Sequence, residues 1–444
     1  MTSQLALPSA DLGRAPRSDD RADVVARRLI AAVGLLVAVG LALDLGASQL
    51  FGWDAQVNCA AVEAYLGGLD PYYVRNLSGT TLSYTYLPVT LDVFRPLCAG
   101  GVLVAHYRVI YLLLAVVSAL LLPSLGGSRR RDAALRIVFV FGGFLGFQWV
   151  IATGNFAMLS GLATSAALAL LLREPASSRK ADRAWPLFAG AMLLGLVTSF
   201  KLVFLPVLAA LYLLPQPRAR KLKLIAVALA AFALPVLISA TLYADLFASW
   251  LSAIFGQIPG QHSPANEINH SLTFLSLALA DQFGLAANRP VVAAFYAFAA
   301  IALVLAPLAI SLWRRVGAAI SADRRAPLAG LDRWLSDHPI EALRLTVLVM
   351  YALFLCAPRV KEYAFFELAL YAAVLIVDLP FSALATVLIV SVVIPALAAL
   401  AGNAFTGVAQ LLTALACFWI LLSRLPERAA EAQLRLDAGA GSRN

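Results

Sequence analysis

Long apolar runs separated by short basic clusters are the feature that most constrains the fold of this chain. Of its 444 residues, 61% are hydrophobic and 13% are charged, whereas soluble domains average about 45–50% apolar and roughly 25% charged residues. A run of ~20 apolar residues can cross a bilayer only as a helix that satisfies its own backbone hydrogen bonds. The sequence therefore predicts an all-α polytopic membrane protein.

The apolar runs and their basic flanks predict about twelve membrane segments. Lys and Arg concentrate on the cytoplasmic side of membrane proteins, and with this count the basic clusters all fall on one side. The stretch 186–214 has basic flanks at both ends, so we interpret it as a hairpin of two short helices with Lys201 near its tip. The other predicted segments are 29–50, 106–124, 133–152, 155–172, 222–244, 289–313, 343–357, 364–379, 381–400 and 405–423.

This topology predicts one transmembrane domain over residues 25–423, with both termini in the cytoplasm. Residues 1–24 lack an apolar period and are expected to form a disordered cytoplasmic tail, and residues 424–444 a second cytoplasmic tail. The expected extracytoplasmic loops are 51–105, 245–288 and 357–363. Apolar stretches too short to span, at 87–97 and 272–279, predict helices that lie along the membrane interface.

The formal net charge of +9 does not indicate a nucleic-acid partner, because the basic residues lie between apolar runs and form no face interleaved with aromatics. No metal-binding or phosphate-loop motif is present in the sequence. Cys356 and Cys417 lie in apolar runs. Cys59 and Cys98 both fall in the first outward loop and could pair if that side is oxidising, and the sequence leaves this open.

Asp54, directly after the first apolar run, is the candidate centre of the chemistry. A carboxylate at the end of a membrane helix can keep a polar partner without entering hydrocarbon, and a lipid-linked ligand could reach it sideways. It would be the general base. The alternative is that Asp54 caps the helix that follows it.

Polar residues from separate outward links could complete such a site. Arg359, Lys361 and Lys201 could hold a phosphate leaving group, although Lys201 could instead snorkel to an interface and the loop cations could form a surface ion-pair cluster. Asp70 precedes a proline, which is also typical of a turn. The tyrosines could instead belong to an aromatic belt at the membrane interface. The candidate substrate-binding residues are Asn58, Asp70, Tyr72, Tyr84, Tyr86, Asn155, Asn269, His270, Glu362 and Tyr363.

Six short motifs in chain order carry a family resemblance. They are Gly67-Gly68-Leu69-Asp70-Pro71-Tyr72 after Asp54, Tyr84-Thr85-Tyr86-Leu87-Pro88, Gly154-Asn155-Phe156, Ala189-Gly190 with Gly195-Leu196 and Lys201 to Pro206, Asn269-His270-Ser271-Leu272, and Pro358-Arg359-Val360-Lys361-Glu362-Tyr363. With them the chain resembles glycosyltransferase family 87 of the GT-C superfamily, which includes polyprenol-phosphate-mannose-dependent α-mannosyltransferases. Leu87, Asn155 and the segment from Arg359 to Tyr363 depart from the family's usual residues.

The resemblance implies a GT-C-like bundle in the bacterial plasma (inner) membrane, with an extracytoplasmic active site. It implies inverting transfer of a sugar from a polyprenyl-phosphate donor to a cell-envelope glycolipid or glycan. Mannose is the first expected donor sugar, and arabinofuranose is another option. Asp54 would be the base and Arg359, Lys361 and Lys201 the donor-phosphate ligands. No cofactor is predicted. Acids such as Asp70 or Glu267 could hold a divalent metal ion, but the ion is not required because Lys and Arg can neutralise the phosphate. The alternative function is a transporter or flippase of lipid-linked sugars.

Overall fold

A computed structural model describes residues 18–46, 52–125, 130–173, 184–258, 270–322, 327–401 and 408–441. Within these ranges the regular structure is entirely helical. The α-helices are α1 (Ser18–Gly46), α2 (Trp53–Leu66), α3 (Thr90–Cys98), α4 (Val102–Leu121), α5 (Arg130–Gly142), α6 (Gly146–Thr153), α7 (Ala157–Leu171), α8 (Trp185–Phe200), α9 (Arg218–Leu242), α10 (Ala244–Ile254), α11 (Leu272–Gln282), α12 (Arg289–Ala300), α13 (Ala306–Ala322), α14 (Pro327–Asp337), α15 (Pro339–Leu355), α16 (Phe365–Leu375), α17 (Phe381–Leu388), α18 (Ile394–Leu400) and α19 (Val408–Gly441).

Six helices of the described chain are long and apolar enough to cross a membrane. A seventh span results if α14 and α15, which meet at a bend of 114°, are counted together. The six are Val24–Leu43, Thr90–Leu121, Arg131–Thr153, Arg218–Leu242, Arg289–Gly317 and Phe381–Leu400. The all-helical, membrane-compatible class is thus confirmed, while twelve spans stay a prediction, because several predicted segments fold as helices shorter than the ~20 residues that a crossing needs.

The central helix of the bundle is α16, and all eleven of its residues are buried. It packs against α5, α7 and α15, which surround it with apolar side chains. Apart from Glu367 the helix is apolar or aromatic on every side, which is typical of a protein interior or a membrane span. At 1.5 Å per residue α16 is also too short to cross ~30 Å of hydrocarbon, so its apolar run reflects burial by other helices.

The stretch 186–214 forms two helices, as predicted, with the interruption at Lys201. The first is α8, and the second is the 3₁₀-helix Leu202–Leu213. Lys201 between them is extended, with φ −137° and ψ 91°. The charged residue therefore lies where the helical hydrogen bonding stops.

Both predicted tails are partly helical. Residues 1–17 of the first tail lie outside the described residues, but residues 18–24 already belong to α1. Beyond residue 424, α19 continues to Gly441. This part of the sequence is rich in Ala, Glu, Leu and Arg, which have high helix propensity, so the helix does not stop where the apolar run does.

The predicted first outward loop contributes most of a second, aromatic core, which residues of later helices complete. Helices α2 and α3 pack together, and a disulfide joins Cys59 of α2 to Cys98 of α3. Phe94 and Trp250 are both buried in this core. The predicted short helices at 87–97 and 272–279 are present as α3 and α11, and their position along a membrane interface remains a prediction.

Candidate active site

Asp54 lies in the first turn of α2, where the positive end of the helix dipole favours a carboxylate. The residue before the helix is Gly52, with φ +53°, and a Cβ there would lie 2.8 Å from the ring of Tyr107. Glycine is therefore required at this position. Asp54 does not cap the helix: no side chain caps α2, and the Asp54 carboxylate contacts another segment.

Asn155, in the link between α6 and α7, orients the Asp54 carboxylate. Its Nδ2 donates to Oδ2 of Asp54 at 2.7 Å, while its Oδ1 accepts from the backbone N of Ala157 at 2.8 Å. The preceding Gly154 has φ +67°, and a Cβ on it would lie 3.0 Å from Cβ of Ala55. This close approach of the link to α2 places the amide beside the carboxylate.

Burial raises the pKa of Asp54 above the usual aspartate value. Hydrogen bonds from Asn155 and Thr153 and the positive charges of Lys361 and Lys201 oppose this shift but do not cancel it. A buried carboxylate with a raised pKa binds a proton more strongly than an exposed one, which is the property of a general base.

Asp54 opens into a polar cavity of about 280 Å³ that also contains Arg359 and Lys361. A carboxylate of α2 and two cations that follow it by more than 300 residues in the sequence thus line the same cavity, an arrangement that can combine a base with groups that bind an anion. The other lining residues are Trp53, Val57, Asn58, Leu82, Ser83, Tyr84, Thr85, Tyr86, Trp149, Thr153, Asn155, Glu362 and Tyr363.

A second cavity of about 260 Å³ adjoins the first and is mostly apolar. Tyr86 lines both cavities. Lys201 lines the second one, and its Nζ lies 4.3 Å from the ring centroid of Tyr363, which lines the first. Lys201 is therefore at the junction of the two, outside the space that holds Asp54.

No protein-family model matches this chain, and no curated protein matches it significantly. The resemblance to glycosyltransferase family 87 therefore remains a prediction, and the chemistry of the two cavities has to carry the functional argument.

Three predicted substrate contacts have other partners in the structure. Asp70 forms a turn, in which its Oδ1 accepts from the backbone N of Tyr72 at 2.9 Å. Tyr72 is fully buried and its hydroxyl donates to the carbonyl of Tyr86 at 2.6 Å. His270 is buried with Nε2 2.8 Å from Oε1 of Glu362. None of the three lines the polar cavity, and Asn269 lies outside the described residues.

Several residues that line the two cavities were not among the predicted site residues. Ser83, Trp53, Trp149 and Thr153 line the polar cavity. Glu367 of α16 lines the apolar cavity near Lys201, and its Oε1 accepts from Ser160 Oγ at 2.5 Å. An ionisable residue inside an apolar run is itself a signal of function, and this signal could have identified Glu367.

Metal ligands do not cluster in the part of the chain that the structure describes, since no group of three His, Cys, Asp or Glu side chains is positioned to hold an ion. Asp70 is engaged in its turn, and Glu267 lies outside the described residues. Among the described residues, the cations that line the polar cavity are Arg359 and Lys361.

Proposed function

We propose that this protein is an inverting glycosyltransferase that moves a sugar from a polyprenyl-phosphate donor to a hydroxyl group of a cell-envelope glycolipid or glycan. The observation that carries the proposal is the polar cavity in which Asp54 faces Arg359 and Lys361. A base that removes a proton and cations that receive an anionic leaving group are the two requirements of this transfer.

In the proposed reaction the acceptor hydroxyl oxygen attacks the anomeric carbon of the donor sugar as Asp54 takes the hydroxyl proton. The bond between the anomeric carbon and the phosphate oxygen breaks, and its electron pair leaves with the polyprenyl phosphate. Arg359 and Lys361 bind the phosphate and stabilise the charge that develops on it. The products are the new glycoside and polyprenyl phosphate.

The apolar cavity supports a lipid-linked donor. It adjoins the polar cavity at Tyr86, so a chain within it would bring its phosphate toward Lys201 and Lys361. Phe156, Leu193 and Phe204 are among its walls. Because Lys201 lies at the junction, we assign it to the phosphate that links the lipid to the sugar.

Two unpaired polar groups support a ligand rich in hydroxyls. Nδ2 of Asn58 and Oγ of Ser83 are buried at the polar cavity and have no hydrogen-bond partner among the described residues. Buried polar groups are nearly always paired, so these atoms favour a bound partner. Asn58 follows Asp54 by four residues in α2, which puts both on one helix face. Sugar hydroxyls match both groups.

The disulfide between Cys59 and Cys98 supports an extracytoplasmic location for this site, because disulfides persist in oxidising compartments. We propose that both termini are cytoplasmic, that the protein resides in a bacterial plasma membrane, and that mannose is the first donor sugar to test. The chemistry of the cavity does not require a metal ion.

The direct test is sugar transfer by the purified protein in lipid nanodiscs. Donors are decaprenyl-phosphate mannose and decaprenyl-phosphate arabinofuranose, the acceptor is a bacterial envelope glycolipid fraction, and mass spectrometry follows the acceptor. The proposal expects an acceptor one sugar heavier and free decaprenyl phosphate, with activity retained in chelator. Movement of intact donor across proteoliposome membranes without covalent change would instead establish a flippase.

The rate of transfer should fall as the pH is lowered. This fall should occur at a higher pH than it would if the base were an ordinary, exposed aspartate. Only the deprotonated carboxylate can act as base, and burial raises the pKa of Asp54, so activity is present above this raised pKa and is lost as pH falls through it. The measurement is kcat/KM against pH. Lys361→Met removes a charge that lowers the pKa, so the acid limb should move to higher pH. An acid limb that stays in place would contradict this role.

Asn155→Ala should lower kcat by about 10²-fold, because a misplaced catalytic group of this kind costs about that much. The variant loses the bond that orients Asp54 Oδ2 and leaves the proposed phosphate ligands in place. We therefore expect an unchanged Kd for decaprenyl phosphate, measured by calorimetry. Equal loss of binding and rate would show that Asn155 supports the whole cavity and does not specifically orient Asp54.

A further inference from the structure

The segment that carries Arg359 and Lys361 has no helix of its own between Ala357 and Lys361. It connects α15 to the short 3₁₀-helix Glu362–Ala364 before α16. Residues in irregular segments keep a fixed position only if neighbouring elements hold them. The position of the two cations therefore depends on contacts made from outside the segment.

His270 and Ser271, directly before α11, supply three such contacts at alternate residues of the segment. Ser271 Oγ donates to the carbonyl of Pro358 at 2.8 Å, and the backbone N of His270 donates to the carbonyl of Val360 at 2.7 Å. His270 Nε2 lies 2.8 Å from Oε1 of Glu362.

These contacts fix the backbone on both sides of each cation. The carbonyls of Pro358 and Val360 flank Arg359, and Val360 and Glu362 flank Lys361. Arg359, Lys361 and Tyr363 all line the polar cavity. Val360, between the cations, is 1% exposed.

The two residues that hold the segment are themselves fixed. Ser271 is the N-cap residue of α11, where its Oγ also accepts from the backbone N of Thr273 at 3.2 Å, and both Ser271 and His270 are buried. Burial raises the pKa of Glu362, but the hydrogen bond with His270, a backbone hydrogen bond and the positive charge of Lys361 together hold this pKa below its usual value, so the carboxylate is ionised at neutral pH. The carbonyl of Glu362 also accepts from Gln410 Nε2 of α19 at 3.3 Å.

We infer that His270 and Ser271 are positioning residues that hold Arg359 and Lys361 against the phosphate of the donor and do not themselves touch the substrate. The inference rests on the proposed function. It assigns to His270 a role different from the substrate contact expected from the sequence, and it adds Ser271 to the site.

Binding of decaprenyl phosphate by the full-length protein in nanodiscs tests the inference. Ser271→Ala and His270→Leu should each weaken binding about tenfold, the effect of losing one intramolecular hydrogen bond. His270→Gln, whose amide can still donate to Glu362, should recover most of the affinity. Ser276→Ala is the matched control: Ser276 is a buried serine of the same helix whose Oγ donates to the carbonyl of Leu272, and it should bind normally.

A double-mutant cycle separates positioning from direct contact. With Arg359→Met and Lys361→Met in place, Ser271→Ala and His270→Leu should cause no further loss of binding, because their effect passes through the two cations. An undiminished tenfold loss in that background would overturn the inference, and so would normal binding by both single variants.

Hydrogen exchange of the peptide 356–366 provides a readout that needs no ligand. Ser271→Ala and His270→Leu should speed its exchange, and Ser276→Ala should not. Unchanged exchange in the first two variants would overturn the inference. If the wild-type protein does not bind decaprenyl phosphate while these variants still speed exchange, the proposed function fails and the role of His270 and Ser271 in holding the segment stands.

Discussion

Asp54→Asn is expected to lower kcat for sugar transfer about 10²- to 10⁴-fold, the usual contribution of a general base. The amide cannot take the acceptor proton, but its oxygen can still accept the hydrogen bond from Asn155, so the cavity should keep its shape. Single-turnover rates report the chemical step directly when the enzyme is in excess over the acceptor and the donor is saturating. Binding of decaprenyl phosphate should be retained.

The matched control for Asp54→Asn is Glu63→Gln, which also removes one carboxylate from α2 but at an exposed position. This variant should transfer sugar at the wild-type rate. Full activity in Asp54→Asn would remove Asp54 as the base and with it the proposed mechanism. A loss of the same size in both variants would indicate a general effect on α2.

Replacing Arg359 or Lys361 by methionine is expected to lower kcat/KM about 10²- to 10³-fold, the usual cost of removing one donor that stabilises a developing anion. Both residues line the cavity that contains Asp54, and methionine keeps the flexible, unbranched part of the side chain without its charge. The loss should include weaker binding of decaprenyl phosphate, because the same charges act on the free phosphate product.

Arg95→Met is the matched control, since Arg95 is an exposed residue of α3 that does not line the polar cavity. It should leave both rate and binding unchanged. If Arg359→Met and Lys361→Met bind and transfer like the wild type, the phosphate is held elsewhere. Comparison with Lys201→Met would then show whether the cation at the junction of the two cavities holds it alone.

The helical class and the interruption at Lys201 could be predicted because both follow from where charges fall in an apolar sequence. Basic residues at both ends of 186–214 favour two short helices over a single crossing, and the structure breaks the helix at Lys201. The number of crossings could not be predicted in the same way. An apolar run looks alike whether lipid or protein surrounds it, and α16 is covered by other helices along its whole length.

Pattern alone could indicate which residues carry chemistry but not which of them share a cavity. Asp54, Asn155 and Lys361 were candidates from their positions in the sequence, and the structure brings them together from three separate segments. Asp70 and Tyr72 are polar or aromatic for local reasons, a turn and a buried hydroxyl bond, which a sequence pattern does not separate from ligand binding. An aspartate or a tyrosine is equally suited to a local structural contact and to ligand binding.

Ser83 and Glu367 line the two cavities but were not among the predicted site residues. A serine in a loop carries no recognisable signal, and only the fold shows that its hydroxyl is buried and unpaired at the polar cavity. Glu367 does carry a signal, an acid inside an apolar helix, but its partners Ser160 and Lys201 come from distant segments that only the tertiary structure brings together.

The central claim, that Asp54 and the two loop cations act on the same lipid-linked sugar phosphate, is tested most directly by a cryo-EM structure with a non-transferable phosphonate analogue of decaprenyl-phosphate mannose. The account predicts the phosphonate oxygens within hydrogen-bonding distance, about 2.7–3.2 Å, of Arg359 or Lys361. The lipid should lie in the apolar cavity and the sugar beside Asp54. A phosphonate bound away from both cations, or a sugar on the far side of the protein from Asp54, would contradict it.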